Sequence, residues 1–142
     1  YSSAASDVYK RQVIEVSKEE ARVFLKRAEE FYDTAKMLYE NQSYNLAAFC
    51  VEQAFQFYLK YILMSQVGYF PRTHSLSRLF SDLSKISVDF EKFYKENEIL
   101  LKLIEDSYIL SRYYPREYSK SEVEMMIKLL EEFINKFKKW IT

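Results

Sequence analysis

Along its 142 residues the chain carries a single glycine, Gly68, and two prolines, Pro71 and Pro115. These are the residues that most often force a helix to stop, so the chain has few natural breaks and its regular structure should be long. Ser17 and Glu20 form an S-x-x-E capping box. Behind it Ala21, Phe24, Leu25, Ala28, Phe31, Tyr32, Ala35, Leu38 and Tyr39 recur at helical spacing. The pattern predicts an amphipathic first helix of about six turns. A second helix is expected from about Ser43 to Val67, ended by Gly68 as the residue just past its C-terminus. Leu46, Phe49, Cys50, Ala54, Phe57, Tyr58, Tyr61, Ile62 and Met64 make it apolar on almost every side. Such a helix must be wrapped by neighbours, which makes it the expected centre of a bundle.

The loop YFPRTHS then leads into a short helix with Leu76, Leu79, Phe80 and Leu83 on one face. A long fourth helix is expected over 89–113, with Phe90, Phe93, Leu100, Leu101, Ile104 and Tyr108 inward. Pro115 stops it, because a proline disfavours helix at the preceding residue. Ser121 with Glu124 reads as a second capping box, opening a last helix that buries Val123, Met126, Ile127, Leu130, Phe133, Ile134, Phe137 and Ile141. No window alternates long enough for a strand. The expected fold is all-α, an antiparallel up-and-down bundle of four long helices plus one short helix.

Other residues narrow the function classes. The one cysteine, Cys50, sits between Phe49 and Val51, a small buried hydrophobe suited to a reducing, cytoplasmic compartment. There is one histidine, His74, and no Cys/His cluster, so no metal site and no cofactor is expected. No apolar run approaches the ~20 residues of a membrane span, so no membrane partner is expected. Ser2 to Gln12, SSAASDVYKRQ, reads as one frame of a transposase adapter used in sequencing libraries. Residues 1–12 are therefore set apart from a single domain over 13–142. Setting aside Asp7, Lys10 and Arg11 leaves 19 basic and 20 acidic residues, a balance that does not advertise a long nucleic acid.

A few polar residues stand out. Gln53, Gln56 and Lys60 follow i, i+3, i+7 on the second helix. They form either its solvent edge or a polar seam facing a ligand or a partner subunit. Arg112 continues the row Leu101, Ile104, Tyr108, so its guanidinium is expected to point toward the side that row buries. There it needs an anion, a carboxylate or a backbone carbonyl. With the hydroxyls of Tyr113 and Tyr118 nearby, Arg112 suits a phosphate clamp; its place at a helix C-terminus also suits carbonyl capping. His74 is either a brace in a turn that Thr73 or Ser75 caps, or a functional imidazole. Tyr32, Tyr39, Tyr58, Tyr61 and Tyr108 lie at core spacing and are read as packing.

The stretch AFCVEQAFQFYLKYILMSQVGYFPRTHSL, followed far downstream by LSRYYP, resembles the HEPN domain, a helical module encoded beside or fused to a minimal nucleotidyltransferase. The resemblance spans 16–140. Its marks stand here as Ala47 and Ala48, then Gln53, Ala54 and Lys60, then Thr73, His74 and Leu76, then Ser111, Arg112, Tyr113 and Pro115. Gln56 stands where the family usually has glutamate, and one extra tyrosine separates Arg112 from Pro115. The resemblance implies a non-catalytic homodimer that binds a nucleotide or phosphate and pairs with the nucleotidyltransferase in a two-gene, toxin–antitoxin-like module. Ribonuclease members of the wider superfamily carry arginine and, after four to six residues, histidine. After Arg112 the corresponding positions are Glu117, Tyr118 and Ser119, and upstream of His74 they are Val67, Gly68 and Tyr69, so that motif is absent. An alternative is a ribonuclease toxin acting on RNA through a rearranged pair, His74 with Arg112. A further alternative is a purely structural dimerisation module, whose mark would be a fully hydrated Gln53, Gln56 and Lys60 and no cleft near Arg112.

Overall fold

The computed structural model describes residues 13–15 and 17–142; the adapter-like segment 1–12 lies outside them. In chain order the elements are β1 (Val13–Glu15), α1 (Lys18–Glu40), α2 (Tyr44–Val67), β2 (Tyr69–Pro71), α3 (Leu76–Ser84), α4 (Val88–Glu96), α5 (Glu98–Tyr113), α6 (Lys120–Lys136) and α7 (Lys138–Ile141). Ser17 and Glu20 close the expected capping box, with Glu20 N donating to Ser17 Oγ at 3.2 Å and Ser17 N donating to Glu20 Oε1 at 3.1 Å. α1 returns along α2 as an antiparallel hairpin. Ala21, Ala28 and Ala35, spaced by seven, are all at most 2% exposed, and small side chains at that spacing let the two helices approach closely. Gly68 ends α2 at φ +82°, the left-handed conformation glycine adopts without a Cβ penalty.

α2 is the centre of the bundle, as its apolar surround requires. Its row Val51, Phe55, Tyr58, Leu59 and Ile62 is buried against the other helices. Opposite lies an aromatic cluster built by α3, α4 and α6. Phe133 has its ring centroid 5.6 Å from Phe55, 5.9 Å from Phe80, 5.5 Å from Phe93 and 4.8 Å from Phe137. Phe137 stacks on Phe90 at 4.3 Å.

Four details differ from the sequence reading. The fourth helix is two helices: Asn97, at φ −124°, ends α4 and opens α5, and its Nδ2 donates to Phe93 O at 2.9 Å. Asparagine bonds its own backbone in this way where a helix is interrupted, without any glycine or proline to announce it. The last helix opens at Ser119, not Ser121. SKSEVE holds two overlapping boxes, and the earlier one is used, with Glu122 N donating to Ser119 Oγ at 3.1 Å. Glu124 instead accepts from Tyr39 Oη at 3.0 Å. That helix also breaks at Phe137, leaving the one-turn α7. Finally, β1 pairs antiparallel with β2, Ile14 opposite Phe70. Three-residue strands are too short to show a period-two pattern in sequence.

Candidate functional site

The site forms where α2 meets the 72–75 segment and the last turns of α5. Ser107, buried on α5, reaches the carbonyl of Ala48 at 3.1 Å and that of Ile104 at 2.6 Å. This contact fixes α5 against α2 and brings the next residue, Tyr108, beside Phe49, ring centroids 6.3 Å apart. The 72–75 segment is held from both sides. Ser75 caps α3, accepting from Arg78 N at 3.2 Å, while Ser75 N donates to Thr73 Oγ1 at 3.0 Å. Glu105 Oε1 accepts from Leu76 N at 2.6 Å. His74, braced in this way, stacks on Tyr108 with centroids 4.3 Å apart, and its Nε2 is 3.1 Å from Tyr108 Oη.

Arg112 completes the cluster in a different pose from the expected one. The row it continues is buried only as far as Ser107 and half-buried at Tyr108, so Arg112 is exposed rather than aimed inward. Its side chain folds back along α5, donating from Nε at 2.8 Å and from Nη2 at 2.6 Å to Tyr108 O. The guanidinium carbon lies 4.8 Å from the Phe49 ring, 4.6 Å from Tyr108 and 4.9 Å from the exposed Tyr113. Arginine thus both bonds back to a carbonyl of its own helix and lies on aromatic faces, and Nη1 has no partner among the described residues. Loss of water first, then the positive charges of Lys60 and Arg112, push the His74 pKa below its ordinary value. Two basic side chains, His74 and Arg112, therefore meet on a single tyrosine, and the charge of Lys60 reaches His74 from α2. Beside it an open groove of about 490 Å³ is lined by His74, Glu105, Asp106, Ile109, Leu110 and Tyr114.

The polar stripe of α2 does not stay together as one seam. Gln53 faces the α1 side, in a groove with Arg27, Phe31 and Phe57. Gln56 is only 3% exposed and donates to the carbonyl of His74 at 2.5 Å. Lys60 lies over Phe70 at 5.3 Å and makes no ion pair among the described residues; burial pushes its pKa down, with Glu52 opposing. What joins the two amides, and feels the charge of Lys60, is a residue the sequence reading passed over. Glu52, with no exposed surface, accepts from Gln53 Nε2 at 2.7 Å and from Gln56 Nε2 at 2.8 Å. Burial pushes its carboxyl up to about 7, Glu105 adding to the rise while the two amides and Lys60 oppose it. A signal was present: Glu52, Gln56 and Lys60 follow i, i+4, i+8, a row on a helix face. The carboxylate that Gln56 lacks thus stands one turn earlier.

Tyr118 is placed elsewhere than expected. It is 3% exposed, its N donates to Asn45 Oδ1 at 2.7 Å, and Arg116, not Arg112, covers its ring at 4.2 Å. Pro115 redirects the chain, with Tyr114 extended at φ −119°, and carries Tyr118 under the start of α2. Of the tyrosines read as packing, Tyr58 is buried and Tyr32, Tyr39 and Tyr61 pack against the core, Tyr32 and Tyr39 also bonding across to Glu131 and Glu124 of α6, while Tyr108 belongs to the candidate site. Among the described residues, no group of three or more His, Cys, Asp and Glu side chains is placed to hold a metal ion, and no helix is long and apolar enough to cross a membrane.

Comparison with known proteins agrees with this architecture. No curated protein sequence matches the chain. Among solved structures, TT1696 from Thermus thermophilus is similar with a TM-score of 0.71 and 23% identity, covering 84% of this chain and 97% of its own. ST0689, an archaeal HEPN homologue, is similar with a TM-score of 0.61 and 20% identity, covering 86% of this chain and 98% of its own. At these identities the likeness is one of fold. The family model of the HEPN domain matches residues 21–140, nearly the whole helical bundle, and the chain belongs to the HEPN domain family.

Proposed function

We propose that this chain is a non-catalytic, nucleotide- or phosphate-binding HEPN domain, working as a homodimer beside a minimal nucleotidyltransferase. The observation that carries the binding reading is the meeting of Arg112 and His74 on Tyr108, with Lys60 near enough for its charge to reach His74. Positive charges that lower the pKa of a neighbouring histidine favour an anion between them. The flat faces of Phe49, Tyr108 and Tyr113 suit a base, and the free Nη1 of Arg112 suits a phosphate oxygen. Burial of Gln56 and the groove beside Tyr108 favour this reading over a purely structural module. The dimer reading draws support from the exposed apolar residues of α5 and its exit, Ile99, Ile109, Tyr113 and Tyr114.

Calorimetry with AMP, ADP, ATP and inorganic phosphate tests the binding. Arg112→Lys should weaken a nucleotide by roughly 1 to 3 kcal/mol, the worth of hydrogen bonds to a charged group. Because Arg112 is exposed, the fold should survive even Arg112→Ala. Wild type that binds none of the four ligands would remove this reading.

One observation favours a second reading. His74 and Arg112, which the nuclease alternative needs together, lie on the same tyrosine, and a histidine held neutral near pH 7 can act as a base. Cleavage of RNA by wild type and not by His74→Ala would favour it. Intact RNA in both would leave the non-catalytic reading.

A further inference from the structure

Glu52 has no exposed surface, and no cationic nitrogen lies within ion-pair reach of it among the described residues. Its two partners are neutral amides, at 2.7 and 2.8 Å. A buried carboxylate without a counter-ion is costly, and neutral donors offset only part of that cost. The same cluster also lacks a donor: Gln56 Oε1 is buried with no partner, on the very amide whose nitrogen touches Glu52. A proton on Glu52 removes the buried charge and adds a donor to a cluster that is short of one. The charges acting on Glu52 are Lys60, two turns along α2, and Glu105 from α5. His74, whose carbonyl shares the Gln56 amide, and Arg112 lie beyond. On the α1 side, Arg27 and Glu30 stand by Gln53.

We infer that Glu52 is the proton switch of the anion site: the site holds its anion with Glu52 protonated, and loss of that proton weakens the hold. The inference rests on the binding reading given above. With Glu52 neutral, Lys60 and Arg112 present their full positive field to the site; with Glu52 ionised, one of those charges is cancelled from behind. Because burial pushes this carboxyl up to about 7, the exchange falls in the neutral range. Linkage makes it reciprocal, so a bound anion raises the proton affinity of Glu52 by the same factor.

Calorimetry with ADP on the full chain and on Glu52→Gln, at about pH 6 and about pH 8 and in two buffers of different ionisation enthalpy, tests it. Taking the variant as reference cancels the titration of ADP itself. The ratio of wild-type to variant affinity should fall about fivefold between the two pH values, the part of a one-unit pKa coupling that this window covers. Near pH 7 the wild type should take up more protons on binding than the variant. A constant ratio with equal proton uptake overturns the inference and leaves ADP binding standing. Absence of ADP binding at both pH values removes the underlying reading and the inference with it. If Glu52→Gln fails to fold, the carbon-13 shift of the Glu52 carboxyl in wild type carries the test. Its midpoint should rise by about one pH unit with saturating ADP, and an unmoved midpoint overturns the switch.

Discussion

Two neighbouring rows of α2 meet opposite surroundings. Val51, Phe55, Leu59 and Ile62 enter a dry cluster of aromatic rings, whereas Glu52, Gln56 and Lys60 enter a polar pocket closed by the 72–75 segment and α5. In the dry row each side chain touches several others, so its stabilisation is large and indifferent to pH. On the polar side one carboxyl and two amides are held by a few specific bonds, the Lys60 ammonium makes no ion pair among the described residues, and one acceptor is left over. The rigid row holds the responsive one in place. A single central helix can therefore supply both the stability of the bundle and a site whose charge varies with solution conditions.

The largest expected effect lies in the dry row's partner. Phe133 is fully buried and packs against four other phenylalanines, so Phe133→Ala removes a whole ring from the junction of α2, α3, α4 and α6. Its cost should be about 3 to 5 kcal/mol. Denaturant unfolding at several pH values checks it, and the loss should be the same at each. A loss that varied strongly with pH would break the division between the two rows.

The polar row should show the reverse behaviour. Glu52 has a folded pKa of about 7 against an ordinary value of 4.5, so between these values the folded state holds the extra proton. Its contribution to stability is fully present below about pH 4.5 and is lost as the pH rises through 7, a change on the order of 3 kcal/mol. Glu52→Gln should abolish that slope while leaving other titrations in place. Unfolding midpoints of both proteins across this range decide it. Parallel profiles would show that Glu52 is solvated or paired well enough to keep an ordinary pKa.

The same contrast explains what could be read in the sequence. The dry row follows from spacing, because Phe55, Leu59 and Ile62 recur at intervals that only a helix places on one side, and the all-α bundle follows with it. The candidate site was legible as residue types, with His74, Arg112, Tyr113, Gln56 and Lys60 all singled out by sequence as candidates. Its geometry was not. Whether an arginine at the rim of a helix turns inward or folds onto its own carbonyl depends on Phe49 and Tyr108, which belong to different helices. Glu52 escaped because a glutamate on an apolar helix reads as its solvent edge until the 72–75 segment is seen to cover it. Asn97 escaped because its side chain supplies locally what a helix break needs, at a position with no glycine or proline.

The smallest effect concerns the hinge between the two regions, the segment that leaves the site at Pro115 and enters the dry core through α6. Asn45 holds this segment at both ends, donating to Arg116 O at 3.1 Å and accepting from Tyr118 N at 2.7 Å. Ser119 then opens the helix that carries Val123, Met126, Leu130 and Phe133 inward. Two serines compete for that role in sequence, and only one is used. Ser119→Ala removes the acceptor of Glu122 N and should cost about 1 kcal/mol, the usual worth of an N-cap. Ser121→Ala lies on the exposed first turn with no such bond and should stay within about 0.5 kcal/mol of wild type. Equilibrium unfolding of both variants gives the comparison directly. If Ser121→Ala costs more, α6 begins two residues later than described, and the connection that spaces the polar row from the dry one is longer by the same amount.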